Sequence, residues 1–342
     1  MTAVKPQNSS LVNLFQLDKQ LFLGDVNQHA NGITSQNLDY IQLSSGFYEG
    51  QLATLLTSPN LSIYYKRFNQ TLDQTGRCPP DKYQLVFRLS GDTANMSGRA
   101  FEEESFILAK PGAELESFVK SNSESVIMFM CAKQLNSIFL SMGLTQSQLN
   151  NAPNLSIFNN NLQYSILLQL IQQGVTFYKR DPSELIHSKL LDSYCHSIMH
   201  LLASYLLQNW TEENDSPVEQ KELLLRRAKN LIRSRKGINV APNQLAQGVG
   251  VSRRKLEYLF RDKFDVSPGE YIRIVKLNEL RRRLSSSKLS HHSIGDIAGS
   301  MEIWHLGRLS KYYREQFGEL PSSTRERLTT HQALNKNNIK KR

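Results

Sequence analysis

Two stretches in the last third of the chain repeat one pattern, and that repeat restricts the fold more than any other feature of the 342 residues. The first runs from Leu245 to Pro268 (LAQGVGVSRRKLEYLFRDKFDVSP) and the second from Ile297 to Pro321 (IAGSMEIWHLGRLSKYYREQFGELP). Each opens on an aliphatic–alanine pair, Leu245-Ala246 and Ile297-Ala298. Each then places apolar residues at i, i+4 and i+8: Leu256, Phe260 and Phe264, then Leu309, Tyr313 and Phe317. Each closes on a proline four residues after its last aromatic. A four-residue period is a helix with one buried face. The small Ala246 lets a second helix approach, Gly250 permits a tight turn, and Ser252 suits a helix N-cap. Each stretch therefore predicts a short helix, a turn and a longer helix, the helix-turn-helix arrangement.

The longer helix of such a unit fits a DNA major groove. In the first unit, Arg253, Arg254, Glu257, Tyr258 and Arg261 fall on the outward face. In the second, Leu306, Gly307, Arg308 and Lys311 do. Gly307 would bring the backbone close to DNA, and Leu306 either meets a thymine methyl or packs on the preceding turn. Charge supports this placement. Residues 1–217 hold 14 Lys+Arg against 19 Asp+Glu, a balance of −5; residues 218–342 hold 27 against 12, a balance of +15. Such a switch points to a polyanionic partner, here double-stranded DNA. Between the units, Pro268–Ser286 predicts a helix capped by Ser267, with Ile272, Val275 and Leu280 on its apolar face. Its length of about 25 Å could set two reading helices in successive grooves, about 34 Å apart. Arg281, Arg282 and Arg283 at its end either grip phosphate or complement the helix dipole.

Upstream, the pattern changes. Residues 1–44 are polar and read as a loosely attached segment. Residues 45–131 predict a β-rich barrel or sandwich, with Tyr83, Leu85, Phe87 and Leu89, and likewise Leu61, Ile63 and Tyr65, alternating along strands. Ser125–Cys131 reads as a buried strand, and turn signals lie at 78–81, 90–92 and 110–112. Residues 132–210 predict helices: Leu135, Ile138, Phe139 and Met142; Leu162, Ile166, Leu170 and Ile171; and a seam of Leu191, Tyr194, Ile198, Leu201, Tyr205 and Gln208. That seam serves either intramolecular packing or a homodimer. The acidic, Ser-Pro-containing 210–218 marks a boundary, residues 218–329 form the basic domain, and 330–342 a basic tail. The class is thus α+β multidomain: an N-terminal β-rich sensor, a helical linker and an all-α C-terminal domain.

Catalytic and metal chemistry find no support. Cys78, Cys131 and Cys195 are too scattered for a disulfide framework and read as reduced. No histidine lies between His29 and His187, so the β region lacks a metal cluster; His196 and His200 share a helix face without the intervening acid of a zinc protease. His291 and His292 read as surface or capping residues. Glycine-rich phosphate loops and a Gly-x-Ser-x-Gly elbow are absent. The expectation is a chain that is no enzyme and takes no cofactor and no metal. Without a run of about 20 apolar residues or a secretory start, no membrane is expected as partner, and the cytoplasm is the expected compartment. Aromatic Tyr65, Phe68 and Phe87 either form core or line a sensor pocket for an unidentified small effector. The competing reading is a structural or non-specific nucleic-acid-binding protein with a mere dimerisation module.

The segments VSRRKLEYLFRDKFDVSPGEYI, KLNELRRRL and IWHLGRLSKYYREQFGELPSSTR resemble the AraC/XylS family of bacterial transcription regulators, over roughly residues 220–329. Their wording is most similar to the branch that regulates ethanolamine operons. The resemblance implies a seven-helix DNA-binding domain joined to a ligand-sensing or dimerising domain, promoter binding, an activator's contact with RNA polymerase, and base contacts by Arg254, Glu257, Tyr258, Leu306, Gly307, Arg308 and Lys311. Two positions depart from the family: Asp265 and Glu302 stand where glycine is usual, at sites that favour positive φ. Ile303 also stands where phenylalanine is common.

Overall fold

The structure is a computed structural model and describes residues 21–33, 38–92, 94–159, 161–180, 189–209 and 220–327. The polar 1–20, the 210–218 boundary and the basic tail lie outside the described residues. The chain divides into two compact units, one of Met1–Tyr40, Glu49–Asn69 and Asp73–Pro217, the other of Ile41–Tyr48, Gln70–Leu72 and Val218–Arg342.

The first unit is built on two antiparallel sheets. Its strands are β1 (Leu21–Leu23), β2 (Asp39–Gln42), β3 (Gly50–Thr57), β4 (Leu61–Phe68), β5 (Leu72–Arg77), β6 (Lys82–Ser90), β7 (Ala94–Met96), β8 (Arg99–Phe101), β9 (Ser105–Ala109), β10 (Glu114–Val119), β11 (Ser123–Cys131) and β12 (Leu155–Asn159). One sheet runs β1-β3-β4-β11-β6-β9-β12 and the other β2-β5-β10-β7-β8. Strands β1, β2 and β12 lie outside the 45–131 window that alternation marks as β-rich: they are three to five residues long, too short for a period to register.

Strand alternation sorts the larger sheet into two faces. Tyr83, Leu85, Phe87 and Leu89 of β6 enter one core cluster with Leu61, Ile63 and Tyr65 of β4 and Val126, Met128 and Met130 of β11. Helices α2 (Ala132–Ser141), α4 (Asn161–Arg180) and α5 (Lys189–Asn209) cover that face. Stacked Phe87–Phe106 and Phe106–Phe158 rings, 5.3 and 4.9 Å between centroids, join the strands there. The alternate residues, Gln84, Val86 and Arg88 on β6, face a cavity instead. The short helices α1 (Val26–Asn31) and α3 (Gln146–Asn151) complete the unit.

The helical seams differ from the heptad reading. In α5, Leu191, Ile198 and Tyr205 are buried in the same core, but Leu201 is 41% exposed and Gln208 is exposed. The buried stripe instead runs through Cys195, Met199, Leu202, Ala203 and Leu206. A single helix docked on a sheet buries a wide face with a 3.6-residue period, not the narrow a/d seam of a coiled coil. In α4, Ile166 is likewise exposed at 43%, while Tyr164, Leu167, Leu168, Ile171 and Val175 are buried.

The second unit holds seven α-helices among the described residues: α6 (Gln220–Ser234), α7 (Pro242–Val249), α8 (Arg253–Phe264), α9 (Pro268–Leu284), α10 (Ile294–Gly299), α11 (Leu306–Phe317) and α12 (321–327). The segment 41–48 belongs to it through buried backbone bonds. Asn278 of α9 accepts from the Gln42 amide and donates to the Gln42 carbonyl, at 3.0 and 3.1 Å. Gln316 of α11 donates to the same carbonyl at 3.0 Å, and its own carbonyl accepts from the Gly46 amide. Buried amides of this kind satisfy a strand end that would otherwise leave orphan polar groups. The sequence reading divided residues 41–48 between the polar segment and the β region, because long-range amide pairs leave no periodic trace.

Candidate nucleic-acid interface

Each half of the second unit carries a short helix, a turn and a longer helix, with the apolar row of the repeat inside. Leu256, Phe260 and Phe264 of α8 are buried, as are Leu309, Tyr313 and Phe317 of α11. Ala246 and Ala298 are buried at 4% and 0%, where close helix packing requires them. Gly250 ends α7 at φ 79°, and the Ser252 hydroxyl accepts from the Lys255 amide to cap α8. Ser267 caps α9 in the same way, with Pro268 in its first turn.

The opposite faces are open. Arg253, Arg254, Tyr258 and Arg261 are exposed on α8, and Glu257 is half-buried. Glu257 and Arg261 form an ion pair one turn apart at 3.2 Å, and Lys255 Nζ sits 5.5 Å from the Tyr258 ring. Both pairings hold side chains along the helix surface. Leu306, Gly307, Arg308 and Lys311 are exposed at the start of α11, with Leu306 at 47%. Trp304 is 75% exposed just before the helix. The sequence reading passed over it because it stands outside the apolar period; that isolation is itself the signal.

The arginine cluster at the end of α9 is structural in part, contrary to both phosphate gripping and a solvated role. Arg281 is fully buried, paired with Glu319 at 2.8 Å and stacked 4.7 Å from the Phe317 ring. Glu319 also receives Arg327 at 2.8 Å and the Thr324 hydroxyl. Arg282 and Arg283 both bond Glu279. Burial pushes the Glu279 carboxyl up, but those hydrogen bonds, with Lys236 nearby, outweigh it and hold the group below the usual range. Arg282 and Arg283 pair with Glu279 one turn back on α9, whereas the acid of Arg281 lies in the loop after α11, a distance along the chain that spacing does not reveal.

The positive-φ expectation for the two unusual positions agrees with the geometry: Asp265 has φ 59° and Glu302 φ 57°. Glu302 accepts a 2.8 Å bond from Asn239, which fixes its turn.

The first unit encloses a cavity of about 70 Å³ between its sheets. Phe68 lines it, whereas Tyr65 and Phe87 belong to the core on the other face. Lys66 and Arg88 also line it, 5% and 4% exposed. Burial pulls the Lys66 ammonium down to about 7. His196 and His200 stack at 5.1 Å on α5, and among the described residues no group of three or more His, Cys, Asp and Glu is arranged for a metal. No helix among the described residues is long and apolar enough to cross a membrane.

Comparison with known proteins agrees with the C-terminal geometry. Residues 245–327 match the helix-turn-helix domain family. An XylDLEGF operon transcriptional activator of Pseudomonas putida is 37% identical over 89 residues, covering 26% of this chain and 27% of that protein. The HTH-type transcriptional regulator GbdR of Pseudomonas aeruginosa is 34% identical over 84 residues, 25% of this chain and 22% of its own length. The chain thus spans about a quarter of the length of these relatives. Among solved structures, the AraC-like transcriptional activator CuxR matches 81% of this chain and 98% of its own at 16% identity and a TM-score of 0.40. Residues 245–327 are thus similar to the helix-turn-helix domain family.

Proposed function

We propose that the chain is a sequence-specific transcription regulator that binds promoter DNA through both helix-turn-helix units. One observation carries this reading: two recognition helices in one unit each bury the repeated apolar row and leave Arg253, Arg254 and Arg261, or Arg308 and Lys311, exposed on the other side. Within it, Arg254, Glu257 and Tyr258, then Leu306, Gly307, Arg308 and Lys311, contact bases, and Arg253 and Arg261 contact phosphate or bases. Residues 218–329 act as the DNA-binding domain, 45–131 as a sensor for a small effector, and 132–210 as linker and dimerisation region. Activation follows the names of the P. putida relatives, contact with RNA polymerase follows the family resemblance alone, and both belong to this proposal. So does the ethanolamine-operon branch, which rests on three C-terminal segments; the buried cations of the cavity oppose a protonated amine as its occupant.

The test is selection of duplex sequences by the full chain, followed by gel shift at graded salt. The full chain is needed because residues 41–48 complete the helical unit. Enrichment of a bipartite site, with affinity falling steeply in salt, supports the proposal. Equal affinity for random duplex would instead establish the non-specific alternative, and absence of binding at low salt would remove both.

A further inference from the structure

The cavity of the first unit has a polar row that its apolar surroundings do not explain. Ser125 of β11 stands opposite Lys66 of β4 on one side and opposite Arg88 of β6 on the other. All three line the cavity. Direct cross-strand neighbours have their Cβ atoms about 5 Å apart, so the three side chains start side by side across the sheet. Lys66 Nζ donates to the Tyr40 hydroxyl at 2.6 Å and to Gln74 Oε1 at 3.1 Å, neither of them charged. A lysine ammonium has three donors, so one remains. Arg88 donates to the carbonyls of Phe101 and Gly91, while its buried Nε has no hydrogen-bond partner among the described residues. Glu103, Asp92 and Glu102 act on Arg88 only at longer range. The Ser125 hydroxyl makes no hydrogen bond among the described residues. A buried charge with neutral partners is costly unless an opposite charge joins it.

We propose that this cavity binds a small organic monoanion, its carboxylate held along the Lys66–Ser125–Arg88 row and its apolar body against Val86, Met96, Phe101 and Ile127. The proposal rests on the reading of the first unit as an effector sensor and names the effector's chemistry. The space is small, about 70 Å³, which favours a short-chain acid over a long one. The anion supplies the missing acceptor for the third Lys66 donor, for the Ser125 hydroxyl or for Arg88 Nε. The lowered affinity of Lys66 for its proton fits a site that waits for a negative partner, and binding would restore the ammonium.

The experiment uses the full chain with butanoate, and with butanamide as its uncharged equal in shape, read by thermal unfolding and calorimetric titration. Butanoate is expected to raise the melting temperature saturably and to bind about tenfold more tightly than butanamide, the contribution of one charge-assisted hydrogen bond. Lys66→Met keeps the apolar stem, removes the charge, and should lose about that tenfold. Lys66→Arg should retain most of it. Arg88 is a poorer target, since its guanidinium also holds two backbone carbonyls. Equal binding of acid and amide, or unaltered butanoate binding by the folded Lys66→Met protein, overturns the proposal while leaving an effector site of other chemistry. Absence of binding by both compounds overturns it together with the sensor reading of this cavity. Gel shift with the same preparations reports separately on the DNA-binding reading.

Discussion

The two helix-turn-helix units share a core and differ at the start of the recognition helix. In the first, Gly250 turns the chain at φ 79° and the Ser252 hydroxyl caps α8. In the second, Glu302 makes the turn at φ 57°, His305 stands at the N-cap of α11 without a side-chain cap bond, and Trp304 and Leu306 are exposed. The buried row is thus repeated while the local turn chemistry is not. Packing defines the unit, and the turn tunes how firmly its reading helix begins.

The largest effects should come from what the units share. Phe260→Ala and Phe317→Ala should each lower stability by about 3–5 kcal/mol, measured by urea unfolding. The Phe317 change should fall at the upper end, because that ring also covers buried Arg281. A Phe317 loss well below the Phe260 loss would break the equivalence of the two cores. Next is DNA reading. Arg254→Ala should cost about 1–3 kcal/mol on the selected duplex and relax its preference. Lys311→Ala should likewise weaken the selected duplex more than random duplex and relax the preference in the second half of the site. Equal losses for Arg254→Ala on selected and random duplexes would reassign Arg254 to a phosphate.

Legibility in the sequence follows the same division. The two cores were readable because Leu256, Phe260 and Phe264, and Leu309, Tyr313 and Phe317, sit at helical spacing and are all buried. Strands β4 and β6 are readable because Leu61, Ile63 and Tyr65, and Tyr83, Leu85, Phe87 and Leu89, alternate along them. The a/d reading of α5 misplaced Leu201, since spacing alone does not separate a coiled-coil seam from the wider face of a docked helix. The Lys66–Ser125–Arg88 row was invisible: its members come from three strands and meet only through register. Arg281 was misread for a related reason, because its acid, Glu319, lies beyond α11.

Capping effects are smaller and bear directly on the difference between the units. Ser252→Ala should cost about 1 kcal/mol, because the Lys255 amide loses its acceptor. His305→Ala should change stability little, while His305→Ser should gain up to about 1 kcal/mol by supplying a side-chain acceptor. Thermal unfolding of the three variants measures this. A His305→Ala loss as large as that of Ser252→Ala would show that His305 supports α11 by another route and remove the contrast.

The smallest effect, and the most pointed, concerns the second turn. A non-glycine residue in the left-handed region carries a cost of roughly 1–2 kcal/mol, so Glu302→Gly relieves strain at φ 57°. Glycine also enlarges the freedom of the unfolded chain, which takes back about 0.4–1 kcal/mol. The exposed bond from Asn239 disappears as well. The net gain should therefore stay below about 1 kcal/mol, visible as a small rise in melting temperature. Asn239→Gly separates the contributions: Asn239 itself has φ 52°, which glycine accepts, so the change removes the bond, keeps the strain at Glu302 and should lower stability slightly. If Glu302→Gly destabilises the protein more than Asn239→Gly does, the glutamate is holding the turn by more than its one hydrogen bond. The second unit would then be as firmly specified as the first, through a different residue.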